Sequence, residues 1–219
     1  MNYQKLTGIV LKKQNYREAD QIVTVWSLEQ GKVRVMARGL RLGKSKLSFS
    51  MQDLGLVEME TAGRSAMPSL ISAKPLESFN GLREELSRSV SALYAAELML
   101  KMTADEQPND EAYILMRDFL RFTNTADLAS QSVFTAVDSF ALRLLRCLGF
   151  SIEHAQSASA LPQRLKDSLT LLMESEFSQL PALALDDRVA RESHDVVRDF
   201  IEFILERKLK SDHFLASIL

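Results

Sequence analysis

The sequence predicts an α+β chain in which a small five-stranded β-barrel precedes an all-helical domain. Two periodicities and one charge split carry that expectation. Residues 1–79 alternate apolar and polar side chains in short runs punctuated by Gly31, Gly39, Gly43 and Gly63, whereas from Asn80 onward apolar residues recur at helical spacing. Residues 1–80 hold 12 Lys+Arg against 7 Asp+Glu, and residues 81–219 hold 15 against 22. A head of charge +5 therefore precedes a body of −7, although the whole chain carries only −2.

The strands come first. Leu6 with Gly8–Leu11, Ile22–Leu28, Val33–Ala37, Leu54–Met59 and Ser69–Ala73 are short and rich in β-branched or alternating apolar residues. In the third run the alternation sets Val33, Val35 and Ala37 on a packed face and Lys32, Arg34, Met36 and Arg38 on a wet one. Five strands within about 75 residues suit a small closed barrel of the oligonucleotide-binding type (OB-fold) better than a sandwich.

The helices follow a boundary at residues 74–80, giving domains 1–79 and 80–219. Asn80 is the expected N-cap of the first, with Glu84 and Glu85 in its first turn and Leu82, Leu86, Val90, Leu93, Tyr94 and Leu98 on one stripe. Pro108-Asn109-Asp110 restarts a second helix carrying Leu115, Phe119 and Phe122. A third, from about Ser132, aligns Val133, Val137, Phe140, Ala141, Leu144 and Leu148 and is stopped by Gly149. Residues 153–160 read as a polar connector. Pro162 opens a helix with Leu165, Leu169, Leu172 and Met173, and a long one follows Ser193 with Val197, Phe200, Ile201, Ile204, Leu205 and Leu209.

The bulk properties exclude several classes. At 46% hydrophobic and 26% charged, with 8 Gly and 5 Pro, the 219 residues are expected to fold almost throughout. A single cysteine, Cys147, can form no internal disulfide, which fits a reducing cytoplasm, and it is expected to be a buried, inert thiol. No run is long and apolar enough for a signal peptide or a membrane span, so no membrane association is expected.

Four features of the sequence bear on chemistry. Gly39-Leu40-Arg41-Leu42-Gly43-Lys44-Ser45 resembles a phosphate-binding loop but is one residue short, and Lys46–Ser50 does not read as a helix start. His154, His194 and His213 are isolated at spacings that build no metal site, and all three are expected at the surface. The adjacent acids Glu84-Glu85 and Asp186-Asp187 are expected to diverge. No catalytic group, metal or cofactor is therefore expected, and the chain reads as a non-enzyme. What remains is a run of cations. Lys32, Arg34, Arg38, Arg41, Lys44 and Lys46 fall within fifteen positions with no acid between them, and Lys12, Lys13 and Arg17 add to the same side. Such a patch favours a phosphate backbone without reading sequence, though a solvated basic surface is the plainer alternative. Aromatics nearby are few: Tyr16, Phe49 and Trp26, the last expected in the core. Rival functions from the same residues are a protein-interaction adaptor and an RNA-binding barrel.

Several blocks resemble one family. Thr7-Gly8-Ile9-Val10-Leu11, Tyr16-Arg17-Glu18-Ala19-Asp20, Gly31-Lys32-Val33 and Ala37-Arg38-Gly39 with Lys44-Ser45 are similar in order and spacing to the RecO family of DNA-repair recombination mediators. Ala92–Leu98, Leu148-Gly149-Phe150, Lys208–Ser211 and Phe214-Leu215 extend the similarity over nearly the full length. The resemblance implies a cytoplasmic, nucleoid-associated protein that binds single- and double-stranded DNA and anneals complementary strands. It also implies that, with RecR, such a protein loads RecA onto strands coated by single-strand-binding protein. The resemblance further implies that the helical domain captures the acidic, Phe-ended tail of single-strand-binding protein, for which Arg117, Arg121, Arg143 and Arg146 are candidates. Many members carry a four-cysteine zinc module after Leu-Gly-Phe; residues 151–160 here contain no cysteine, so nothing carries over to residues 153–185 from zinc-bearing relatives.

Overall fold

A computed structural model describes residues 3–42, 46–63, 65–128, 130–152, 161–183 and 185–218; for residues 46, 130–132 and 216–218 it describes the backbone alone. Strands β1 (Tyr3–Tyr16), β2 (Asp20–Ser27), β3 (Gly31–Ala37), β4 (Leu56–Ala62) and β5 (Ser69–Glu77) close into a barrel in the order β1-β2-β3-β5-β4. All neighbours are antiparallel except β3 and β5, joined in parallel at Met36 and Ser69. This is the oligonucleotide-binding fold the alternation predicts. Leu6, Val10, Val23, Val25, Val35, Val57 and Met59 point inward and fill it.

A helix forms where the sequence reads as a loop. α1 (Lys46–Ser50) is a single turn extended by Met51 N donating to Leu47 O. Its five residues have no strong propensity; burial decides, because Met51 is fully enclosed and Leu47 packs on the barrel core.

The barrel unit comprises residues 1–79 and also Met102–Tyr113, a strap that runs from the end of one helix into the first turn of the next. Glu106 N donates to Lys32 O at 2.9 Å, and Lys32 Nζ donates to Thr103 O. Gly31 has φ +69, and a Cβ there would collide with the backbone of Gln107. Only glycine meets both demands.

The helical unit comprises residues 80–101 and 114–219. Its elements are α2 (Leu86–Met102), α3 (Asp110–Thr125), α4 (Ser130–Cys147), α5 (Gln163–Glu174), α6 (Asp187–Leu205) and α7 (Lys210–Ile218), with 3-10 segments at Asn80–Arg83 and Phe177–Ala182. α4 packs against α5 and α6, with Val133, Val137, Phe140 and Leu144 fully buried. It ends as the glycine rule requires: Gly149 has φ +82, and Gly149 N and Phe150 N donate to Arg146 O and Leu145 O. Asn109 Oδ1 accepts from Ala112 N, which caps α3 after Pro108.

Two helix starts differ from the sequence reading. Asn80 opens a 3-10 turn and not the first helix, which begins at Leu86. Leu86 and Leu93 face outward, and the buried stripe is Val90, Tyr94 and Leu98 with the small residues Ser91, Ala92, Ala95 and Ala96. α6 begins at Asp187, where Asp186 accepts from Arg188 N as N-cap, and not after Ser193. Ser193 is buried in its middle, bonded to Ser168. Leu209 lies past the left-handed Glu206 that ends this helix.

Candidate nucleic-acid interface

The outer face of β1, β2 and β3 gathers the cations, and one irregularity decides which. Ile9 pairs with Trp26 and Val10 with Val25, but the next pair is Lys12 with Thr24, because Leu11 is an inserted bulge residue. The bulge reverses the alternation, so Lys12, Gln14 and Tyr16 join the outer face that Ile9 occupies before it. Combining both registers gives lateral rows: Lys12, Thr24 and Arg34, then Gln14, Ile22 and Met36, with Tyr16 opposite Asp20 beyond. Lys12, Tyr16 and Arg34 are exposed, while Ile22 and Met36 are half-buried.

The end of this face is tied together by the backbone. Arg41 N donates to Ala19 O and its guanidinium to Glu18 O, both at 3.0 Å, while Gly39 N donates to Asp20 Oδ1 at 2.8 Å. The Arg38–Arg41 turn is thus pinned beside the β1–β2 turn. Arg17 occupies that turn with its guanidinium 5.3 Å from the Tyr16 ring centroid. Arg17, Arg38 and Arg41 are all exposed.

Not every predicted cation joins them. Lys32 faces outward as the alternation requires, yet it is 9% exposed, covered by the strap and paired with Asp105 at 3.4 Å. Arg34 reaches the same carboxylate at 3.4 Å but keeps 57% of its side chain exposed, so that pair is weak. Lys13 lies on the opposite face from Lys12, where its ammonium donates to Met51 O at 3.1 Å and meets Asp53 at 3.3 Å. Lys44 and the Lys46 side chain lie outside the described residues. Trp26 is 1% exposed, in keeping with a core role.

In the helical unit Arg143, one of the four candidate arginines, sits in an aromatic cluster. Its guanidinium carbon is 4.5 Å from the Phe177 ring centroid, and Phe177 packs on Phe119 and Phe122 at 5.3 and 5.8 Å. Phe119 in turn meets Phe140 at 4.7 Å. Arg117 is bonded to its neighbour Asp118, Arg121 lies 3.7 Å from the same carboxylate, and Arg146 is exposed.

Two further expectations are corrected in the same unit. His194 is not at the surface: it is 5% exposed, between Asp138 of α4 at 2.7 Å from Nδ1 and Asp212 of α7 at 2.9 Å from Nε2. Burial alone would lower the imidazole pKa, but Asp138 and then Asp212 outweigh it and raise it to about 10. The residue sits at an inward α6 position that single-sequence spacing could reveal only with the true helix start. His213 is exposed, and His154 lies outside the described residues. Glu84 and Glu85 do not diverge either. Because they precede the helix, both reach Arg88, at 3.7 and 3.0 Å. Cys147 is half-buried rather than buried. Among the described residues no group of three or more His, Cys, Asp or Glu side chains is arranged to hold a metal ion, and no helix is long and apolar enough to cross a membrane.

Comparison with known proteins agrees with this architecture. Residues 1–79 match the family model described as recombination protein O N terminal, and residues 83–160 match recombination protein O C terminal. A DNA repair protein RecO from Anaeromyxobacter dehalogenans is 34% identical over 151 residues, 68% of this chain and 58% of that protein. A DNA repair protein RecO from Symbiobacterium thermophilum is 32% identical over 143 residues, 65% of this chain and 55% of the relative. The chain thus spans little more than half the length of these relatives. One from Desulforamulus reducens aligns over 98% of this chain and 94% of its own length at 26% identity.

Proposed function

This chain belongs to the recombination protein O family, and we propose that it works in DNA repair as a non-catalytic mediator gripping DNA on the outer face of β1–β3. The observation that carries this is the convergence of Lys12, Arg34, Arg38, Arg41 and Arg17 on one face and one end of the barrel. Cations so placed bind phosphates of single- or double-stranded DNA through counterion release and leave base edges free. Two complementary strands repel through those same phosphates. A surface that neutralises both lowers the barrier to annealing, which in the cell would take place at the nucleoid.

Loading of RecA with RecR onto strands coated by single-strand-binding protein fits the same family role. The acidic, Phe-ended tail of that protein would find in Arg143 a cation beside an aromatic cluster. Arg121 and Arg146 would serve as rim charges.

The test is annealing of complementary oligonucleotides coated with single-strand-binding protein, with and without this chain, beside anisotropy of labelled DNA across a salt series. Accelerated annealing and a steep loss of binding with salt are expected. No DNA binding at low salt would overturn the reading in favour of a protein adaptor, and selective binding of RNA would overturn it in favour of an RNA-binding role.

A further inference from the structure

The pattern between the cations says what kind of strand they hold. On the outer face the row of Lys12 and Arg34 is followed, two residues along each strand, by Gln14, Ile22 and Met36, and then by Tyr16. Two residues advance a strand by about 7 Å, so the cation row and the Tyr16 end lie about 13 Å apart with an uncharged strip between them. Ile22 and Met36 are half-buried in that strip, and neither carries a charge that would seek a phosphate. Tyr16 is 39% exposed and already holds the Arg17 guanidinium over its ring. A surface evolved for duplex backbone alone would gain nothing from an aromatic ring and two apolar side chains set between its cations, because a duplex hides its base faces. Unpaired bases have exposed faces, and stack on such a strip.

We infer that Tyr16, with Ile22 and Met36, forms a stacking platform for unpaired bases, flanked by Lys12 and Arg34 on one side and by Arg17, Arg38 and Arg41 on the other, so that this face prefers single-stranded over double-stranded DNA. The inference rests on the DNA-binding reading above and adds to it a substrate form and residues that carry no charge. Tyr16 acts on the bases, and the arginines act on the phosphates.

Three labelled ligands of equal length separate the two contributions: a single strand, its duplex, and a strand of abasic nucleotides with the same phosphates. Tyr16→Ser is expected to weaken the single strand by about 5-fold or more. It should leave the duplex, the abasic strand and the salt slope unchanged, while Tyr16→Phe retains full affinity. The ring is exposed, so both variants should keep the parent's thermal midpoint. Equal affinity of Tyr16→Ser and the parent protein for the single strand would overturn the platform, as would an equal loss on all three ligands. If the parent protein binds the abasic strand as tightly as the single strand, the platform is refuted while the phosphate-gripping reading stands. Failure of the parent protein to bind any of the three at low salt would sink both.

Discussion

His194 Nδ1 lies 2.7 Å from Asp138 Oδ1 inside the helical unit, with side chains only 6% and 1% exposed. Asp212 holds Nε2 from the other side, so a charged imidazole donates to two carboxylates and joins α4, α6 and α7. Burial pushes the Asp138 carboxyl pKa up, against the pull of the imidazolium. The Tyr94 phenol, buried beside this group, is pushed well above its ordinary pKa and stays neutral. Removing the histidine would leave two buried carboxylates facing each other without a cation. His194→Ala should therefore lose about 3–5 kcal/mol of stability, as breaking a buried pair does. Denaturant unfolding measures this, and an unchanged midpoint would show that the three side chains do not meet.

The same group sets a pH dependence. The folded pKa of about 10 lies above the ordinary value of 6.5, so the stabilisation is fully present below about pH 6.5 and is lost as the pH rises through 10. Thermal midpoints should fall between those limits in the parent protein and stay flatter in His194→Gln. Glu97 behaves oppositely. It accepts from Lys210 N, Ser211 N and Ser211 Oγ at the start of α7 and pairs with Lys101, and these partners outweigh burial to lower its pKa from 4.5 to about 2. Its contribution is complete above about pH 4.5 and disappears as the pH falls through 2. Glu97→Gln should remove that acid-side loss.

The cations divide into two kinds. Arg34→Ala, Arg38→Ala and Arg41→Ala should each lower DNA affinity and reduce the salt slope by about one. Lys32→Ala and Lys13→Ala should instead lower the unfolding midpoint with the salt slope unchanged, since both ammonium groups are spent on Thr103 O, Asp105, Met51 O and Asp53. Anisotropy across salt, read beside thermal unfolding, separates the two sets.

Asp105 restrains Arg34 as well as Lys32. Asp105→Asn keeps a hydrogen-bonding side chain near the buried Lys32 and removes the charge that competes with phosphate at Arg34. DNA should bind more tightly and the salt slope should steepen; a weaker complex would mean that Arg34 needs Asp105 to hold its position.

Gly31→Ala meets two penalties, a left-handed φ and a collision with the Gln107 backbone. The variant should lose at least about 1 kcal/mol. The hydrogen exchange of Glu106 N, which donates to Lys32 O, should quicken as the strap lifts.

Much of this molecule is local. The alternation in β3, the β5 run, the α4 stripe with Gly149 behind it and the Asn109 cap are each specified by residues a few positions apart. Period 2, period 3.6 and a left-handed glycine act within one element, so they are readable one element at a time. The charge split likewise pointed to the barrel, and the family blocks up to Phe150 fall within the residues that the family models match, whereas Lys208–Ser211 and Phe214-Leu215 lie beyond them.

Tertiary structure decided which of those residues meet. The Leu11 bulge, set by pairing between β1 and β2, turned Lys12 outward and Lys13 inward. A strap whose Thr103 is 71 residues downstream buried Lys32 and left Arg34 half free. Asp138 of α4, 56 residues upstream, and Asp212 of α7, 18 residues downstream, closed on His194, whose isolation in the chain gave no hint of two carboxylates. Burial and charge pairing depend on distances between elements, and a linear pattern carries no information about those distances until the chain has folded.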